Sequence, residues 1–591
     1  MYASFMPFPR NLCAGFLGML LAFAPAFGQS DPKNLFITGQ YEEGAFLSTD
    51  LTNEVVGALL FYNEGFFGQR SIIANVEGGY IWNGHEIFDR SGLDADLGIA
   101  PNAVTQFVVD PSVTPEIDYH ATMVGHVLAG TGFIDTETGG SFTYTGIGMA
   151  PYAELWSGAI ATGFSDEDIG SFSITTESAL TPYRSFFRGI EGRKADVINS
   201  SWGGDGPAGN SDIGQTIDAL ARENASEAFV VSAGNSGETA VGDPGSGYNN
   251  ITVGSLGGEN FLTPSEFSSR SPVDFYNPEL DQTFEGVRAA VDLAAPGENM
   301  FLAAYLGPSG SLQSLEDIVQ TPSPNDLYFL NQNGTSFSAP IVSGGIALLK
   351  DVVHSYEGTP FEMSETTLDT RVVKSVLMAG ARRTEGWDNG QDNEDGVITT
   401  RQALDYATGA GALDLETTAQ IYLLSATEDL AGLGGGEIGT SGWDFGSLAE
   451  GASNEYRFAN AFAQEVELTI SLNWFAGTGL DEDDLGQALS FSNLNLEVWL
   501  LTEDDLATKI AESISFYNNS EFLRIGLSLP GEYALRVTFL GMVYDLDGSP
   551  NDTEYGLAWQ ARAVPEPGTY ALLAVAAALL IFRGRWFRSH S

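Results

Sequence analysis

The octapeptide NGTSFSAP, Asn333 to Pro340, decides how this chain is read. A glycine-punctuated turn delivers Ser336 to the first turn of an apolar run that reads as a core helix. A hydroxyl there can act as a nucleophile, and its own N–H sits among the unpaired donors of a helix N-terminus, where a developing oxyanion is stabilised. Acyl transfer asks for that pairing. An ordinary Gly/Ser loop entering a core helix has the same composition, so the reading depends on what surrounds the octapeptide.

From about residue 70 short apolar strands alternate with amphipathic helices. Strands are expected over Ser71–Glu77, Tyr152–Trp156, Ala195–Ser200, Ala228–Ser232 and Ile251–Ser255. Helices are expected to begin at His120, Asp212 and Ser336, with another over Arg371–Ala381. The strands are continuous apolar runs, not alternations, which predicts an α/β fold: a mostly parallel sheet with helices on both faces.

A serine nucleophile needs a base. The chain has five histidines: His85, His120, His126, His354 and His590. His120 opens HATMVGHVLAG, whose small residues let a first helical turn pack closely against neighbouring backbone. His126 lies six positions on, roughly 240° around an ideal helix, so it faces elsewhere and reads as structural. His85 and His354 read as surface or satisfied core residues. The base in turn needs a carboxylate. Glu77 ends the first strand in IIANVEGGY and would project from the carboxyl edge of the sheet, where α/β sites are built; Asp118 is the rival acid. VVSAGNSG places Asn235 at a strand end, where its amide can donate to a tetrahedral oxygen alongside the Ser336 N–H.

Together these segments resemble the subtilisin-like serine proteases (subtilases), in the order acid, histidine, asparagine, serine. GMAPYAELW, VINSSWGG, ITVGS and LAAPGE add to the match, which covers about residues 70–425. The resemblance implies a serine endopeptidase acting on protein or peptide substrates through an acyl-enzyme. Ser336 is then the nucleophile, His120 the base, Glu77 the orienting acid and Asn235 the oxyanion donor, with Ser201, Trp202 and Gly203 pairing with extended substrate as a strand. The family normally carries aspartate at the first position; Glu77 has one more methylene and must fold back to meet the histidine. Only about 42 residues separate Gln29 from the first strand, so no full prodomain is expected. The rival from another class is a proteolytically silent matrix or adhesion protein on the same scaffold.

Near Ala431 four glycines, Gly432 and Gly434 to Gly436, mark a linker over 426–441. Beyond it the period becomes two: Val466, Leu468, Ile470, Leu472 and Trp474 alternate, as do Leu494 to Leu500 and Tyr533 to Phe539. That predicts a β-sandwich over 442–563, similar in pattern and position to the pre-peptidase C-terminal modules of secreted proteases. Acidic loops at Asp388–Gly396, Asp481–Asp484 and Asp545–Asp552 are compatible with structural calcium, but none has EF-hand spacing and no metal residue is named. The chemistry itself requires no cofactor.

At 591 residues the chain should hold two or three folded units. Its 25 Lys+Arg against 78 Asp+Glu give a net charge of −53, which argues against nucleic acid as a partner. Residues 1–28 read as a signal peptide, with Arg10, an apolar run from Leu12 to Ala24, and small residues before Gln29; 29–69 is an N-terminal segment. Cys13, the only cysteine, lies in the removable part. At the other end VPEPG, an apolar run from Tyr570 to Phe582, and Arg583, Arg585 and Arg588 resemble the PEP-CTERM sorting signal of Gram-negative bacteria over 564–591. That resemblance implies transient membrane anchoring, processing by an exosortase, and release to the cell surface or an extracellular polysaccharide matrix.

Overall fold

The computed structural model of the protein describes residues 49–563, apart from 93–98, 114–115, 136–142, 166–170, 259, 306–327, 425–434, 461, 463–464, 502–506, 529 and 549–551. The expected signal segment and sorting tail lie outside the described residues.

Two short helices, α1 (Thr49–Val55) and α2 (Leu59–Asn63), precede β1 (Ile72–Glu77). Short hairpins aside, the chain continues through β2 (Val104–Phe107), α3 (Tyr119–Ala129), β3 (Glu154–Ala159), α4 (Thr176–Arg188), β4 (Val197–Ser200), α5 (Asp212–Glu223), β5 (Ala228–Ser232), β6 (Ile251–Gly257) and β7 (Leu293–Pro296). Then come α6 (Thr335–His354), α7 (Thr370–Gly380), β8 (Val397–Thr400) and α8 (Leu415–Leu424). Strands β6, β5, β4, β1, β3 and β2 lie side by side in that order and all parallel, with β7 beside β6.

Alternate side chains of these strands feed two apolar layers. Ile73, Val197 and Val230 join a core with α3, α6 and α7, whereas Ala74, Val76, Ile198 and Phe229 pack against Leu180, Phe186, Ile217 and Leu220 of α4 and α5. Both faces are covered, which is why the strands read as unbroken apolar runs. The third strand begins at Glu154, two residues later than expected, and runs through the small residues Ser157 and Gly158 to Ala159. Among the described residues, α6 is the one helix long and apolar enough to cross a membrane; it is wholly buried between the sheet and its neighbours. Its hydrophobicity is that of a core helix.

The segment before β1 is part of this core. Asn53 Nδ2 donates to Ile147 O and Gly148 O (2.9 and 3.1 Å), and Tyr62 Oη donates to Met149 O (2.6 Å).

The C-terminal part is rich in strands: β9 (Gly435–Glu437), β10 (Ser441–Ala449), β11 (Ser453–Asn460), β12 (Val466–Trp474), β13 (Gly486–Leu501), β14 (Ala507–Ser513), β15 (Ser520–Leu527), β16 (Gly531–Asp545) and β17 (Asp552–Ala563). One sheet orders β8, β14, β13, β16, β11 and β9; a second orders β10, β17, β12 and β15. Leu468, Ile470 and Leu472 of β12 share an apolar cluster with Leu496, Val498 and Leu535 of the larger sheet. Two boundaries differ from expectation. Gly435–Glu437, inside the expected linker, pairs with β11, and Val397–Thr400, inside the expected catalytic segment, pairs in parallel with β14. Edge pairing satisfied backbone groups that composition alone suggested were free.

The smaller sheet lies on α7. Thr469 Oγ1 donates to Ala379 O and Ser375 Oγ to Gly556 O (2.8 and 2.9 Å). Arg371 pairs with Asp369 and Glu554 (2.7 and 2.9 Å) and stacks on Phe445 and Phe475.

Candidate active site

The carboxyl ends of β1, β4 and β5 bring Glu77, Ser201 and Asn235 to one edge of the sheet. A Cβ on Gly79 would lie 2.7 Å from Glu116 O and 2.8 Å from Asp118 Cβ. Bare glycine therefore lets the end of β1 close against the loop that starts α3, and α3 carries His120 in its first turn.

Glu77 is buried and its two oxygens have different partners. Oε2 lies 3.2 Å from His120 Nδ1; Oε1 accepts the Ser201 N–H at 2.9 Å. Burial raises the Glu77 pKa, opposed by the His120 contact and the Ser201 N–H. Burial works to lower that of His120, but hydrogen bonding to Glu77 and the charges of Glu77 and Asp118 outweigh it, so the imidazole lies above its ordinary 6.5. Asp118 is engaged elsewhere. It is the N-cap of α3, its carboxylate accepting the His120 backbone N–H at 3.0 Å, a role its place just before a helical run already signals.

Ser336 is the second residue of α6. Pro340 has no N–H to offer the Ser336 carbonyl four residues back. That orphan accepts Ser201 Oγ–H at 3.0 Å, while Ser336 Oγ donates to Ser201 O at 3.2 Å. Ser201 thus touches Glu77 and Ser336 at once, a contact the sequence did not reveal. Behind it Asn199 Nδ2 donates to Ser201 Oγ (3.2 Å) and to Asn75 Oδ1 (2.9 Å), and Ser343 Oγ donates to Asn199 Oδ1 (2.8 Å).

Asn235 Oδ1 accepts both the N–H and the hydroxyl of Thr335, each at 2.9 Å. A backbone N–H can only donate, so the amide orientation is fixed and Nδ2 faces the other way. It faces the space above Gly334. A Cβ built on Gly334 would sit 3.5 Å from Asn235 Nδ2 and 3.7 Å from Ser336 N. Two donors thus border one small space beside the Ser336 hydroxyl.

Ser201, Trp202 and Gly203 follow β4 directly. Among the described residues the backbone N–H and C=O groups of Trp202 and Gly203 have no partner. Trp202 is anchored by its side chain, Nε1 donating to Tyr183 Oη at 3.0 Å.

The other described histidines are structural. His126 is buried, with Nε2 bonded to Gly146 O (2.7 Å) and Nδ1 accepting the Ala303 N–H (2.9 Å), and burial lowers its pKa to about 3. His85 Nδ1 accepts the Ile87 N–H (3.1 Å). His354 sits at the end of α6 between Asp196 (2.6 Å) and Glu357; burial would lower its pKa, but the two carboxylates raise it to about 9. His590 lies outside the described residues. Among those described, no group of three or more His, Cys, Asp or Glu side chains is placed to hold a metal ion. Within the acidic loop Asp481–Asp484, Asp484 pairs with Arg184 and Arg188 instead (3.1 and 2.5 Å).

A family model described as "Subtilase family" matches residues 82–411, more than half of the chain. The protein belongs to the subtilase family. It is accordingly a serine-type endopeptidase, a hydrolase. The match begins beyond Glu77, so Glu77 is described by its geometry alone. No curated protein matches the chain. Among solved structures, it is similar to a serine protease of Aeromonas sobria (13 % identity, TM-score 0.43, covering 92 % of this chain and 100 % of that one). It is also similar to the prenylagaramide maturation protease PagA (20 %, 0.40, 62 % and 97 %) and to a lanthipeptide protease (14 %, 0.41, 67 % and 99 %).

Proposed function

We propose that this subtilase cleaves peptide bonds with Ser336 as nucleophile, His120 as general base and then acid, and Glu77 as the carboxylate that orients the imidazole. Asn235 Nδ2 and the Ser336 N–H receive the oxyanion, and the unpaired backbone of Trp202 and Gly203, headed by Ser201, takes an extended peptide as an added strand. The observation that carries this reading is the contact between Glu77 Oε2 and His120 Nδ1 at 3.2 Å. It supports a glutamate in the place of the usual aspartate: the extra methylene is taken up because Ser201 N–H holds the other oxygen from behind.

Hydrolysis then follows from the groups present. His120 Nε2 takes the Ser336 proton as Oγ bonds to the scissile carbonyl. The imidazolium, stabilised by Glu77, returns that proton to the leaving amine, and water repeats the sequence on the acyl-enzyme. No cofactor enters these steps. Structural calcium in the acidic loops would show as a fall in Tm on chelation.

A second reading, a proteolytically silent scaffold for matrix binding, is favoured by one observation: Ser336 Oγ bonds to Ser201 O, not to His120. Fluorophosphonate labelling separates the two. The enzyme is modified at Ser336 and Ser336→Ala is not; absence of labelling in folded protein rejects the catalytic reading.

From the sequence we further propose export, the C-terminal strands forming a sandwich module, and a PEP-CTERM tail cut by an exosortase to leave the protein at the surface or in a polysaccharide matrix. A mature protein retaining residues 568–591 would reject the last step.

A further inference from the structure

Ser343 follows Ser336 by about two turns of α6, so both face the sheet. Opposite them Asn75 of β1 and Asn199 of β4 are direct partners in the parallel sheet, and Asn75, Asn199 and Ser343 are all wholly buried. Their neighbours are apolar core: Ile73, Val197 and Val230 on the sheet, Ala339, Ile346 and Ala347 on α6. Apolar side chains would fill this space without the desolvation penalty of three buried polar groups. Part of that penalty is left standing, because Asn75 Nδ2 has no partner among the described residues. Stability alone does not account for the polar set.

Its hydrogen bonds run in one direction, and Pro340 sets it. The Ser336 carbonyl, left without a helical donor by Pro340, can only accept, so Ser201 Oγ gives its hydrogen there (3.0 Å). Ser201 Oγ in turn accepts from Asn199 Nδ2 (3.2 Å). The second Asn199 N–H goes to Asn75 Oδ1 (2.9 Å), and Asn199 Oδ1 takes the Ser343 hydroxyl (2.8 Å). The chain thus starts on α6, crosses to the sheet and returns to α6 at Ser336. Asn199 stands at its centre, using both N–H groups and its oxygen. Turning that amide over would aim Oδ1 at Ser201 Oγ, draw the hydroxyl hydrogen away from Ser336 O and leave the carbonyl bare.

We propose that Asn199 is a positioning residue for Ser336. Held by Asn75 and Ser343, it fixes the Ser201 hydroxyl, and that hydroxyl pins the carbonyl in the first turn of α6. This sets where the Ser336 hydroxyl and N–H stand relative to His120. Apolar burial is non-directional, whereas hydrogen bonds at two points on one helix face fix the register of helix on sheet. Ser201 also holds Glu77 through its backbone N–H (2.9 Å), so Glu77 and Ser336 are placed from the same residue. The proposal rests on the catalytic reading above.

The test uses the full-length protein and a synthetic peptide spanning a bond that it cuts in casein. Ser343→Ala is the mild probe: it removes the hydroxyl that orients the Asn199 amide and puts a good helix former in α6. The other bond of that hydroxyl is to Ala339 O of its own helix (3.2 Å), so Ser343 reaches Ser201 through Asn199. Expected is a fall of about tenfold in kcat, the worth of one hydrogen bond, with KM within about twofold of the parent. Fluorophosphonate labelling of Ser336 should slow by a similar factor. Asn199→Ala removes the amide itself and should lose at least as much. Ser343→Thr keeps the hydroxyl, so it should retain most of the parent kcat even though an extra methyl in a packed core lowers its Tm.

A double-mutant cycle separates positioning from general loosening. In a Ser201→Ala background, Ser343→Ala should change kcat by less than about twofold, because the hydroxyl it acts through is gone. A full fall of about tenfold in that background, a parent-like kcat for Ser343→Ala, or kcat values that follow Tm across the Ala and Thr variants overturns the positioning role and leaves the endopeptidase intact. Uncut casein together with unlabelled Ser336 in the parent overturns the catalytic reading, and the positioning role with it.

Discussion

Glu77 is held by two opposed donors, and that fixes what its substitutions do. Glu77→Asp withdraws the carboxylate by one methylene from a histidine 3.2 Å away while the Ser201 N–H still binds it. A misplacement of that size costs about a hundredfold, so kcat/KM should fall by about that factor even though aspartate is the family's usual acid. Glu77→Gln removes the charge that lifts the imidazole pKa. His120 must be neutral to act as base, so activity in the native protein rises with pH through a value above 6.5. In Glu77→Gln that limb should move to lower pH, with kcat down about 10⁴-fold. If the pH profile stays in place, Glu77 is not the orienting acid. Gly334 makes a complementary prediction. Its φ of 163° is ordinary extended backbone and an added methyl meets nothing closer than 3.5 Å, so Gly334→Ala should fold with stability within about 0.5 kcal/mol of the parent. The methyl nonetheless occupies the space between Asn235 Nδ2 and Ser336 N. Kinetics should show kcat falling about a hundredfold or more, as when an oxyanion donor is lost.

Helix α7 shows how an element that looks like ordinary core in the sequence is shared between two halves of a molecule. One side packs on the parallel-sheet core, and the other lies under β12 and β17. Arg371 fastens its start, with a 9 % exposed side chain between Asp369, Glu554 and two phenylalanine rings. Arg371→Ala leaves Asp369 without its cation and opens the stack. Chemical denaturation should register a loss of about 3 kcal/mol, while Arg371→Lys, keeping the charge without the planar fork, should recover part of it. An unchanged midpoint for Arg371→Ala would mean that the C-terminal strands rest on α7 without bracing it. The contact also explains a feature of β12. Its apolar alternation was legible, but the intervening Thr469, Ser471 and Asn473 are buried too, and bonded to Ala379 O, Met378 Sδ and Ser375 Oγ.

The chain carries a net charge of −53; among the described residues most cations are paired with carboxylates, and a few acids are buried. Glu521 is the extreme among the described residues. It is fully buried in β15 and bonded to Ser513 Oγ and to the Ser515 N–H (2.7 Å), and burial raises its pKa well above 4.5. The folded state therefore binds a proton that the unfolded chain has released, and stability falls as pH rises from about 4.5 toward the folded value. Glu521→Gln keeps a carbonyl for Ser515 and an amide for Ser513 without that penalty. Its Tm should match the parent's at pH 4 and exceed it at pH 8. Equal Tm values at both would show that Glu521 is not desolvated in the folded state.

Local chemistry was enough to pick out the parallel sheet and its covering helices, and to propose Ser336, His120, Asn235 and Glu77 as one site, because strand runs, helix starts and glycine-flanked polar residues are properties of a few consecutive residues. The choice of Glu77 over Asp118 for contact with the imidazole came from the approach of two loops over bare Gly79, which no single segment encodes. Ser201 as the tie between Glu77 and Ser336 depended on a carbonyl left open by Pro340 and met from another segment. The burial of the polar side of β12, and the pairing of Gly435–Glu437 and Val397–Thr400 with strands far along the chain, likewise required the folded neighbours. Hydrophobic pattern says which side chains leave water; which backbone groups and carboxylates then find one another depends on distances that exist only once the chain has closed on itself.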